Sequence, residues 1–132
     1  MSTTAALEKP IDATQQEAKP LAWGERKRLP QRHTSGRLSF EARRDGAEPS
    51  KFEAGIGFYN DFTIGEAFLD SGKAGTEVAV IADEAAILFS LALQHGCPIE
   101  TIRKAMPRTN DGRPEGAIGT LCDLLKKEGL AG

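Results

Sequence analysis

Cysteine is scarce in this chain, with Cys97 and Cys122 as the only two. Two thiols cannot build the disulfide framework of a small secreted domain, and neither lies in a Cys-x-x-Cys pair or a Cys/His cluster with zinc spacing. Both are expected as buried thiols in a reducing compartment. Long apolar runs are missing too: no stretch reaches the about 18 residues that a membrane-spanning helix needs. Met1 to Lys19 has neither the basic start nor the apolar centre of a signal peptide. A cytoplasmic protein with no membrane partner is therefore expected. A strong charge of one sign is also absent, since the formal net charge is -2, which argues against a wholesale polyanion binder.

The patterns of common catalytic centres are absent as well. No Gly-x-Ser-x-Gly or His-Glu-x-x-His segment occurs, and the two histidines, His33 and His95, lie in dissimilar surroundings. Asp83 and Glu84 are adjacent, so on a helix their carboxylates diverge instead of forming an acid/base pair. The chain is read as having no catalytic residue, no metal site and no cofactor.

What is present is the composition of a folded protein, 39% hydrophobic and 27% charged residues among 132. It is unevenly spread. Small and polar residues dominate the start, broken by Pro10 and Pro20, with too little apolar surface to offset the entropy of ordering. Residues 1–25 are read as a disordered tail, 26–36 as a basic arm and 37–132 as one domain. From Arg26 to Arg44 the cations Arg26, Lys27, Arg28, Arg32, Arg37, Arg43 and Arg44 meet a single acid, Glu41. One reading is a solvated arm leading into the first strand. The other is an electrostatic contact with nucleic acid or an acidic partner through Arg26, Lys27, Arg28 and Arg32.

Leu38, Phe40 and Ala42 alternate with Ser39, Glu41 and Arg43, the period of a strand with one buried face. After a turn at Asp45-Gly46, Phe52, Ala54, Ile56 and Phe58 alternate in the same way, which predicts an antiparallel hairpin. Gly55 and Gly57 leave the second strand bare on its other face. Phe62 to Leu69 supplies a third strand. Thr76 can then cap a helix running to about His95. On that helix Val78, Ile81, Ala82, Ala85, Leu88, Phe89 and Ala92 form one apolar face, and Val80, Ile87 and Leu91 make the opposite side apolar too. Such a helix lies across the sheet, and its second face becomes a subunit contact unless later helices cover it. Gly96 terminates it, and Pro98 opens a second helix that Pro107 stops. After a polar loop with Asp111-Gly112, a third helix turns Ile118, Leu121, Cys122 and Leu125 inward. Strands first and helices after predict an α+β fold: an antiparallel sheet of about three strands with three helices mainly on one face.

Two segments invite functional readings. Ser71-Gly72-Lys73-Ala74-Gly75-Thr76 joins a strand to a helix start, where free amides and the positive helix end favour an anion. Gly72, Lys73, Gly75 and Thr76 are the candidate contacts to a phosphate or carboxylate. The spacing is not that of a Walker loop, so nucleotide hydrolysis by that route is not implied. Within 88–106, Ala92, the turn Gly96 and an inward Ile102 have the spacing of a helix-turn-helix DNA reader, with Arg103 and Lys104 towards phosphates. Any two helices crossing at a tight turn use the same residue types.

Lys27-Arg28-Leu29-Pro30, the Ser71-Gly72-Lys73-Ala74-Gly75 loop, the helix end Ser90-Leu91-Ala92-Leu93-Gln94-His95-Gly96-Cys97-Pro98 and Glu100-Thr101-Ile102 together resemble the TSCPD domain. The resemblance runs from roughly Arg26 to Leu125. That family occurs as short free-standing proteins and as a C-terminal appendage of adenosylcobalamin-dependent ribonucleotide reductases. This chain departs from it at Leu121-Cys122-Asp123, where Cys-Pro-Asp would be expected. The resemblance implies an accessory or regulatory binding module, with a cobalamin-dependent ribonucleotide reductase as protein partner. It does not imply reduction itself, which needs a barrel and a corrinoid site that this length cannot house. Self-association through the apolar helix is a further expectation, and a DNA-binding regulator using 88–106 is the alternative.

Overall fold

The computed structural model describes residues 24–43, 48–73 and 75–131. Most of the expected tail, residues 1–23, and the expected Asp45-Gly46 turn lie outside the described residues. The elements follow the expected order: β1 (Ser35–Ala42), β2 (Ser50–Phe58), β3 (Ile64–Asp70), α1 (Glu77–Gln94), α2 (Ile99–Ala105) and α3 (Ala117–Lys127). The sheet is antiparallel throughout with strand order β1-β2-β3, and the fold is α+β. No helix among the described residues is long and apolar enough to cross a membrane.

Register explains the two faces of the sheet. Ala54 pairs with Leu38 on one side and Leu69 on the other, and Phe40 pairs with Phe52, so the apolar members of each alternation share one side. The Phe40 and Phe52 rings stack at 5.7 Å between centroids. On the other side, Arg37, Gly55 and Phe68 form one row, and exposed Phe68 lies across the bare Gly55. The aromatic ring thus covers backbone that glycine leaves open. All three helices contribute to the core on the inner side, with α1 against β3 and α3 against β1.

The Thr76 hydroxyl caps α1 by accepting from the Ala79 amide at 3.2 Å, and His95 closes it before Gly96, whose φ is 97°. The orientation of α1 differs from the sequence reading. Its buried stripe is Ala82, Ala86, Phe89 and Leu93, whereas Val78, Ile81 and Leu88, expected in the inner face, are exposed. Small size decides this, because Ala82 and Ala86 let the helix backbone come close to β3, and larger side chains there would hold it away. Ser90 marks how close it comes. Its hydroxyl accepts from the Ala67 amide at 2.9 Å and lies 3.1 Å from the Ala67 carbonyl and 2.8 Å from that of Ala86. Burying Phe89 alone contributes roughly 1.5–3 kcal/mol.

Of the two thiols, Cys122 is buried as expected, while Cys97 is only half-buried because it sits in the exposed α1–α2 turn. Leu121, Cys122 and Leu125 form the most deeply buried part of α3.

Candidate functional site

The structure brings the strand-to-helix turn residues together as the sequence placed them, with Gly72 at φ 71° and Gly75 at φ 80°, a region that side chains disfavour. The turn is occupied by its own side chains. The Gly72 amide donates to the Asp70 carboxylate at 2.8 Å and the Lys73 amide to the Ser71 hydroxyl at 3.3 Å. Thr76 donates through its amide and hydroxyl to the Lys73 carbonyl, at 3.2 and 2.6 Å. An incoming anion would have to displace the Asp70 carboxylate and approach Glu77 in the first turn of α1. Lys73 itself is exposed.

The basic arm is docked onto the domain, where the sequence allowed a solvated one. The Lys27 amide donates to the Gln94 carbonyl at 2.7 Å, and Arg26 Nε donates to Gln94 Oε1 at 2.7 Å. Gln94 Nε2 reaches the Gly65 carbonyl at 2.9 Å, so one buried amide ties the arm, β3 and the end of α1 together. Lys27 Nζ lies 4.5 Å from the centroid of the Tyr59 ring, whose hydroxyl donates to the Lys27 carbonyl. Burial pushes the Tyr59 phenol above its ordinary pKa. A Cβ at Gly65 would stand 2.7 Å from the Tyr59 ring and 2.8 Å from Leu29, so only glycine admits this crossing. Further along, His33 spans from the Pro30 carbonyl at 2.7 Å to Glu66 at 3.0 Å. Arg26 and Lys27 thus have structural work, although they are exposed like Arg28 and Arg32.

Between the arm and the end of α1 an open cleft of about 620 Å³ is lined by Tyr59, Phe62, His95, Cys97 and Leu130 among others. Three of its polar side chains serve the arm: His95 Nδ1 lies 2.7 Å from the Gly24 carbonyl, and Gln94 and Tyr59 are bonded as above. No group of three or more potential metal ligands occurs among the described residues.

Segment 88–106 does bend at Gly96, but Arg103 is drawn into the domain while Lys104 stays exposed. Arg103 is bonded to Glu100 at 2.7 and 2.8 Å and to Asp123 at 3.4 Å, and Lys104 lies 4.0 Å from Glu100. Arg108 makes a two-pronged contact with Asp123 at 2.7 and 2.9 Å. These bonds hold both acids below their usual range, Glu100 at about 2 through its bond to Arg103, and Asp123 through its bond to Arg108. The Leu121-Cys122-Asp123 segment is thereby explained in structural terms. Cys122 faces the core, where burial pushes its thiol up to about 12, and Asp123 gathers two arginines at the surface. Pairing of Arg108 with Asp123 had no local signal, because the partners lie on either side of the polar loop.

The outer side of α1 is the remaining candidate. Val80, Ile81, Ile87 and Leu88 are 53, 58, 57 and 67% exposed. They lie opposite the buried stripe, with half-buried Leu91 continuing the row, and neither α2 nor α3 covers them. A run of four large aliphatic residues on one helix face is what an interaction surface presents. Compared with family models, curated proteins and solved structures, the chain has no match in any of the three.

Proposed function

We propose that the chain is a non-catalytic accessory module that binds another protein through the outer face of α1. The observation that carries this reading is the exposure of Val80, Ile81, Ile87 and Leu88 on a helix whose other side is already packed. Leaving four such side chains in water forgoes roughly 1.5–3 kcal/mol for each that could be buried, which a partner recovers. The resemblance to the TSCPD domain gives the partner: a cobalamin-dependent ribonucleotide reductase in the cytoplasm, regulated or assembled with help from this module.

Sedimentation of the purified chain with a purified adenosylcobalamin-dependent reductase tests the proposal. A complex that forms with the wild type and is lost on Leu88→Asp supports it. No complex, or one indifferent to that substitution, defeats it. DNA reading through 88–106 has no comparable support, because Arg103 is committed to Glu100 and Asp123.

A further inference from the structure

We infer that the occupant of the outer α1 face is a basic amphipathic helix of the partner protein, an inference that rests on the docking role proposed for that face. The spacing indicates a helix. Val80 and Ile87, and likewise Ile81 and Leu88, are seven residues apart, so they stack in two layers along the axis as the seam of a helix pair does. A partner with apolar residues repeating at three and four would seat between these layers.

Charge indicates the sign. Glu77 to Gln94 contains three ionisable side chains, Glu77, Asp83 and Glu84, all exposed and all acidic, with no lysine or arginine. None of the three makes an ion pair among the described residues, although ion pairs hold Glu53, Glu66, Glu100, Asp111 and Asp123. Glu84 lies inside the apolar row, three residues from Ile81 and Ile87 and four from Val80 and Leu88. A carboxylate there is poorly matched to an uncharged apolar surface, because docking would strip its water without replacing it. A lysine or arginine on the incoming helix supplies the missing partner, and Glu77 and Asp83 extend the same match along α1.

The position of Glu84 also disfavours a second copy of the chain. It is the midpoint of the four apolar residues, so a two-fold pairing centred on them sets Glu84 against its own counterpart. Anionic membrane surfaces meet the same repulsion.

The test uses the full chain and three labelled synthetic peptides of about 18 residues, long enough for helical turns to form. One has leucines on one face and lysines on the other, the second replaces lysine by glutamate, and the third has the leucine/lysine composition scrambled. Fluorescence anisotropy should show the leucine/lysine helix binding roughly tenfold or more tightly than either control. Glu84→Lys should invert the preference between the lysine and glutamate helices, and Leu88→Asp should abolish binding of both. Because both sites are exposed, circular dichroism should show these variants folded. Equal binding of all three peptides, or indifference to Glu84→Lys, overturns the inference. So does self-association of the wild-type chain in ultracentrifugation that Leu88→Asp abolishes. If the glutamate helix binds best and Leu88→Asp abolishes that binding, the docking face stands and its basic partner falls. If no peptide binds and the reductase complex is also indifferent to Leu88→Asp, both fall.

Discussion

On the sheet-facing side of α1 stand Ala82, Ala86, Phe89 and Leu93, and on the opposite side stand Val80, Ile81, Ile87 and Leu88. Composition alone would bury the second set, which is larger and more aliphatic. The first set wins because a helix lying on a sheet needs small residues where the backbones approach, with a few large ones to fill the flanks. The bulk left outside is surplus to the domain's own core. That difference separates residues that hold the fold from residues that the fold leaves in water.

Four predictions bear on this comparison. The largest effect should come from Phe89→Ala, which empties a buried site and should cost about 3–5 kcal/mol in urea denaturation. Next is Gln94→Leu, which keeps the volume but leaves the Gly65 carbonyl and Arg26 without their partner. A loss of about 1–3 kcal/mol is expected, with hydrogen exchange accelerated in residues 24–34. A rigid arm in that variant would show that Gln94 is not its anchor.

The third effect is the dependence on acid. The folded pKa of Glu100 is depressed to about 2 from 4.5, so its contribution to stability is complete above 4.5 and disappears as the pH falls towards 2. Denaturation midpoints of wild type and Glu100→Gln should differ at neutral pH and converge in strong acid. A gap that persists at pH 2 would mean the Arg103 bond is not its source. The smallest effect is expected for Leu88→Ala, which should change stability by no more than about 0.5 kcal/mol because the side chain is already in water. A cost as large as that of Phe89→Ala would erase the distinction between the two sides.

The parts of the fold legible in the sequence are those governed by neighbours along the chain. Alternation in Leu38 to Ala42 and Phe52 to Phe58, the Thr76 cap, the Gly96 stop and the inward Leu121 and Leu125 all express local rules. The facing of α1 was not legible, because periodicity reports that a helix is apolar on two sides without saying which side has sheet beneath it. Nor was the docked arm, since Gln94 meets Arg26 across 68 residues and looks in sequence like an ordinary polar helix end. The Arg103, Arg108 and Asp123 cluster is hidden from the sequence for the same reason, and without its partners Arg103 has the look of a phosphate contact.

The bonds between Ser90 and Ala67 have one more consequence. β3 is a border strand of the sheet, and a border strand offers its free amides and carbonyls to any extended chain that drifts past. At Ala67 those groups are already answered by a hydroxyl carried on α1, in the middle of the strand. The side chain that fixes the helix in place thus also occupies the backbone groups of Ala67 that a strand added along this border would need.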